Sequence, residues 1–149
     1  MPVINYFFED IDFSLKSQRK ISKWISKVVA MEDKEILGLN YIFCSDQYLL
    51  ELNQQYLQHQ TFTDIITFDH SEDNNMLEGD IFISIDRVIE NAKNFDVTFE
   101  HELKRVIIHG VLHLIGYKDK SKTDQKIIRE KENNYLNLWG DVPRGTSES

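Results

Sequence analysis

The stretch HGVLHLIGYKDK, His109 to Lys120, places two histidines four residues apart, then a glycine, then a charged turn. It closes a longer pattern that begins at Thr98. Leu103, Val106, Ile107, Gly110, Val111 and Leu114 fall on one stripe at helical spacing, which predicts a helix from Thr98 to about Ile115 with that face packed inward. Thr98 is placed to cap it, and Glu100 and Glu102 lie near its positive end. Gly116 is placed to end it in a left-handed turn. At about 100° per residue the two histidines stand only about 40° apart, at the edge of the apolar stripe. Glu102 lies on nearly the same line, two turns before His109.

A metal needs ligands that converge, and a helix fixes the spacing of two imidazoles at little further entropic cost. The same pair also arises by chance on amphipathic helices, as two rings with no ligand role. A third ligand from the turn after the helix would leave one position open for water, and Asp119 is the nearest acid able to supply it. Zinc suits such a nitrogen-rich site better than magnesium or calcium, with manganese, nickel and iron left open. A zinc protease of the HExxH kind needs a glutamate beside its first histidine as general base. That position is Gly110, which has no side chain to take a proton.

The rest of the chain bounds these readings. Its 149 residues make one domain with enough length for a real core, and 41% apolar with 28% charged residues is ordinary for a globular protein. No apolar run approaches a membrane span, and MPVINYFFEDIDF carries neither a basic leader nor a cleavage site. The single Cys44 excludes an intramolecular disulfide and a thiolate cluster, so a metal would be held by histidine and carboxylate. These features point to the cytoplasm and away from a membrane. A formal charge of −8 argues mildly against a nonspecific nucleic-acid binder. Yet Lys16, Arg19, Lys20, Lys23 and Lys27 follow helical spacing, and Lys118, Lys120, Lys122, Lys126, Arg129 and Lys131 crowd the segment after the histidines. Such runs are usually solvated faces.

VINYFF reads as a short strand, and apolar positions from Leu15 to Val29 as a helix. ILGLNYIFCS reads as a second strand, followed by a helix over QYLLELNQQYL capped by Asp46. TDIITF and GDIFISI are two more strands, joined by a polar loop from about Asp69 to Glu78. Asp86 is placed to cap a helix over RVIENAKNF, and Ser121 one that runs to about Trp139. GDVPRGTSES reads as a frayed tail. The expectation is an α+β fold: a small mixed four-stranded sheet packed with about five helices, in one domain over 1–140 with a tail over 141–149.

HGVLHLIGY also resembles the YbeY family of bacterial endoribonucleases, or rRNA maturation factors, whose pattern is His-Gly-x-Leu-His-Leu-x-Gly-Tyr-Asp-His. Upstream, LNQQYLQHQTFTDIITF and EGDIFIS resemble the family's Leu-Asn-x-x-Tyr-Arg, Thr-Asp-Val-Leu-Ser-Phe and Gly-Asp-Ile stretches. The resemblance is strong from about Leu49 to Tyr117 and looser over Met1 to about Gly140. It implies a zincin-like domain that cleaves single-stranded RNA in ribosomal RNA maturation, including the 3′ end of 16S RNA, and acts in ribosome quality control. It also implies one Zn²⁺ per chain on His109, His113 and Asp119, with ribosomal RNA and the ribosome or its proteins as partners. The ion would acidify its water or neutralise charge on the phosphate.

Two departures stand out. The family's third histidine aligns with Asp119, and a carboxylate there makes the ion less Lewis acidic. The family's arginine, thought to serve the substrate phosphate, aligns with Leu57. Arg105 and Lys118 are its possible stand-ins, although each reads more simply as a surface charge. The basic stripe that includes Lys20 and Lys23, and the lysines after Tyr117, are expected to supply the local positive charge that RNA phosphates need. Glu102 is expected to orient His109 from behind the ligand set, or else to serve only the helix N-terminus. Asp64 and Asp80 are expected to cap turns rather than to fix the loop over the site. Two other classes stay open: a noncatalytic ribosome-assembly factor with a structural metal, and a metal hydrolase for another substrate.

Overall fold

The computed structural model describes residues 3–57 and 63–141. The chain runs β1 (Ile4–Glu9), α1 (Gln18–Met31), β2 (Glu35–Cys44), α2 (Asp46–Leu52), a π-helical turn (Asn53–Leu57), β3 (Ile65–Asp69) and β4 (Met76–Ser84). It continues through α3 (Ile85–Asn94), α4 (Phe99–Ile115), α5 (Lys122–Leu138) and a 3₁₀ turn (Trp139–Asp141). The strands form one sheet in the order β1-β2-β4-β3. β1, β2 and β4 are parallel, and β3 runs antiparallel to β4. Helix α1 provides the crossover that a parallel β1–β2 pair requires. The expected α+β fold, a mixed four-stranded sheet with about five helices, is what the described residues show. The expected tail falls outside the described residues apart from the closing turn.

Strand alternation sorts the side chains. Leu39, Tyr41 and Phe43 of β2 and Leu77, Ile81 and Ile83 of β4 point to one face, where they pack with α1 and α4 in the main core. Cys44, Leu49 and Ile66 form a smaller cluster under α2 on the opposite face. Burial pushes the Cys44 thiol up to about 12, which makes it an inert core residue.

Helix α4 lies closely on the sheet because two glycines leave room for it. A methyl at Gly110 would sit 2.9 Å from both Ile65 Cδ1 and Ile81 Cγ2. One at Gly79 of β4 would sit 2.5 Å from the Phe68 carbonyl oxygen and 3.2 Å from Leu114 Cδ1. Tyr41 reaches up from β2 and donates its hydroxyl to the Ile107 carbonyl at 3.1 Å, so the sheet also holds α4 one half-turn before His109. A glutamate at position 110 would point into the sheet, which removes any space for a protease-type base.

The helix ends bear out some expected caps and replace others. Thr98 and Ser121 accept from His101 N and Asp124 N at 3.1 Å and 3.0 Å, as expected. The caps of α2 and α3 are Ser45 and Ser84 rather than Asp46 and Asp86. The two acids bridge the helices instead: Asp86 accepts from Asp46 N at 2.8 Å, and the Asp46 carboxylate takes Arg87 and Ser84. The strand expected from Gly79 begins at Met76, because Met76 and Leu77 pair with Glu35 and Ile36 of β2. The first long helix begins at Gln18, after Ser17 takes a left-handed conformation at φ 59°.

Candidate metal centre

Gly116, at φ 127°, ends α4 where a side chain would be strained. The N–H of Gly116 bonds back to Leu112 and His113 carbonyls, and that of Tyr117 to Leu112, which turns the chain toward the histidines. Asp119 follows in this turn, and Gln125 in the first turn of α5 donates to its carbonyl at 3.0 Å. Tyr117 is held from the other side. Its hydroxyl donates to Glu32 Oε1 at 2.7 Å, and Glu32, at the end of α1, also accepts from Tyr135 and Lys131 of α5. Three elements thus fix the loop that carries Asp119.

Asp119 Oδ2 lies 3.2 Å from His113 Nε2 and 3.5 Å from His109 Nε2. All three donor atoms lie within 4.8 Å of one another. A tetrahedral ion with bonds of about 2.0–2.1 Å has ligand-to-ligand edges of about 3.3–3.4 Å, so the two contacts to Asp119 match such a polyhedron. Two imidazole nitrogens and one carboxylate oxygen are a borderline-to-hard donor set suited to a first-row divalent ion, with a fourth position left over.

The other nitrogen of His109 explains its orientation. Nδ1 lies 2.5 Å from Oε2 of Glu132 on α5, a side chain only 1% exposed. With a carboxylate there, Nδ1 carries the proton and Nε2 keeps its lone pair toward Asp119. Burial would push the Glu132 carboxyl up, but the hydrogen bond from His109 and the charges of Arg105 and Arg129 hold it below its ordinary value. The acid that holds the Nδ1 side of His109 is therefore Glu132, not Glu102. Glu102 is buried and occupied elsewhere: it takes Arg105 through two hydrogen bonds, of 2.6 and 2.9 Å. Arg105 also reaches Glu132 at 3.3 Å and lies 3.9 Å from Asp64.

Arg105 is consequently no surface charge. It is buried, and although burial works against its charge, Glu102, Glu132 and Asp64 raise its pKa further above the arginine value. Asp64 joins this cluster and accepts from Asn91 at 3.5 Å rather than capping a turn. Asp80 lies on the far face of the sheet, where it accepts from Asn40 at 3.0 Å and pairs with His70 at 3.0 Å. Lys118 is exposed. Leu57 ends the π-helical turn, and its side chain is outside the described ones.

Two openings flank the histidines. One, of about 470 Å³, is bounded by His109, Asp119, Arg105 and Glu132 and by the outer face of α5. The other, of about 350 Å³, runs from His113 and Gly116 to Asp69, Ser71 and Asn74. An ion held by the three donors would thus be reachable from solvent.

The profile of the family described as Endoribonuclease YbeY matches residues 6–140. The chain belongs to the YbeY family. Its relative from Flavobacterium psychrophilum, named endoribonuclease YbeY, is 53% identical over 133 residues, covering 89% of this chain and 94% of that protein. The YbeY protein of Karelsulcia muelleri is 54% identical over 134 residues, covering 90% and 94%. TM1509 from Thermotoga maritima, a solution structure, superimposes with a TM-score of 0.67 at 31% identity, covering 91% of this chain and 90% of its own. Among the described residues no helix is long and apolar enough to cross a membrane.

Glu132 was the residue that sequence reasoning missed. A signal for it exists: Glu132 stands four residues after Ile128 and three before Tyr135, on the buried stripe of α5. An acid on an apolar stripe needs a partner.

Proposed function

We propose that this YbeY-family chain is a metal-dependent endoribonuclease that cleaves single-stranded RNA in ribosomal RNA maturation, including the 3′ end of 16S RNA, and in ribosome quality control. Residues 1–140 form the endoribonuclease domain, working in the cytoplasm on RNA presented by the ribosome or its proteins. The observation that carries this reading is the convergence of His109 Nε2, His113 Nε2 and Asp119 Oδ2 beside an open cleft. One Zn²⁺ per chain is the ion this donor set favours.

A divalent cation there supplies Lewis acidity to the scissile phosphate and to an attacking water. The remaining work belongs to the chain. Glu132 keeps the proton of His109 on Nδ1, and Arg105 balances the buried charge of Glu132 and Glu102. Glu32 and Gln125 hold the turn that delivers Asp119. With the Asp119 carboxylate as third ligand in place of imidazole, a bound ion would keep less net positive charge, and phosphate binding would lean more on the cationic side chains around it.

The purified chain, a ribosomal RNA precursor and a His113→Ala variant test the reading. Cleavage is expected from the wild type and a loss of more than about a hundredfold in the variant or after chelation. Equal cleavage by both proteins would assign the activity to a contaminating nuclease. Metal retained without any cleavage would favour a noncatalytic assembly factor with a structural ion.

A further inference from the structure

The cleft beside His109 and Asp119 has a wall that the metal site does not use. On the first three turns of α5, Lys126 and Arg129 line the same opening as His109, Asp119 and Arg105. Both are exposed, so neither is a structural charge of the core. The cleft's carboxylates already have partners. Glu132 is taken by His109 and Arg105, and Asp119 faces the two imidazole nitrogens. Arg129 makes only a 3.7 Å contact to the buried Glu132, and Lys126 forms no ion pair with any described residue. Arg105 is locked between Glu102 and Glu132, which leaves its guanidinium unable to turn toward a ligand. The cations left to a ligand in this opening are therefore those of α5.

From this placement we infer that Lys126 and Arg129 form a phosphate subsite that takes the backbone of single-stranded RNA alongside the metal centre. The inference rests on the endoribonuclease reading for its substrate, and it answers what replaces the arginine that Leu57 lacks. The spacing suits the task. Three residues apart on one helix, the two side chains extend from the same face and reach neighbouring phosphates. The guanidinium offers paired donors to one phosphate while the ammonium acts as a point charge on the next. The basic stripe of α1 contributes none of the residues that line this opening.

The test is fluorescence anisotropy of a labelled single-stranded RNA with chelator-treated full-length protein, so that binding is read apart from cleavage. Lys126→Gln with Arg129→Gln is compared with wild type and with Lys23→Gln, an exposed lysine of α1. Removing two phosphate contacts should weaken binding about tenfold near physiological salt and flatten the slope of log K against log salt by about 1.4. Lys23→Gln should bind as wild type does. Equal affinity of the double variant and wild type would overturn the inference, and so would equal losses in the double variant and Lys23→Gln. A wild-type chain that binds no RNA would overturn it as well. If the double variant loses binding but the wild type cuts no ribosomal RNA, the subsite stands and the endoribonuclease reading falls.

Discussion

His109 Nδ1 lies 2.5 Å from Glu132 Oε2, so the first imidazole of the candidate site on α4 is oriented by an acid 23 residues further on, in another helix. A buried carboxylate on the non-ligating nitrogen fixes the tautomer, the ring plane and the basicity of the ligating one. Glu132→Gln keeps the shape but removes the charge. Zinc affinity of this variant is expected to fall about 10–100-fold, read by competition with a chromophoric chelator. Affinity equal to wild type would separate Glu132 from the metal centre.

Arg105 offers a second discrimination. If its function is to balance Glu102 and Glu132, Arg105→Ala leaves two buried carboxylates without their cation and costs about 3–5 kcal/mol in urea unfolding. An arginine that gripped substrate phosphate would instead raise KM and leave the unfolding midpoint near wild type. The first pattern is the expected one.

Glu32 predicts an acid-sensitive joint. Burial pushes its carboxyl up, but hydrogen bonds from Tyr135, Tyr117 and Lys131 outweigh this and hold it below its ordinary value of 4.5. A carboxylate with a depressed folded pKa stabilises the fold fully above its unfolded pKa, and the contribution is lost as pH falls through the folded one. Glu32→Gln should therefore cost about 1–3 kcal/mol near neutral pH, with the gap to wild type closing below pH about 4.5. Urea midpoints of both proteins across this range check it. A gap independent of pH would mean that the charge of Glu32 contributes nothing.

Much of this architecture was legible in the residues. The stripe from Leu103 to Leu114 identified α4, the four short apolar runs identified the strands, and Gly116 identified the turn that brings Asp119 round. What escaped was set by contacts between distant segments. Ser45 and Ser84 do not stand out as caps in the sequence because an acid follows each within two residues, and those acids are drawn into an α2–α3 bridge that no local pattern encodes. Glu102 looked like the partner of His109 from the helical wheel alone. Arg105, one turn away on the same helix, captures it, and α5 brings Glu132 to the imidazole. The spacing on one helix predicted neighbours; only the packing of two helices decided which neighbour holds which.

The most direct test of the three-ligand centre is the metal content of the protein as purified, measured by elemental analysis before any metal is added. With two Nε2 atoms and the Asp119 carboxylate converging, about one zinc per chain is expected in the wild type and little in His113→Ala. A wild-type chain that carries no divalent metal and takes none up from a zinc buffer would contradict the account.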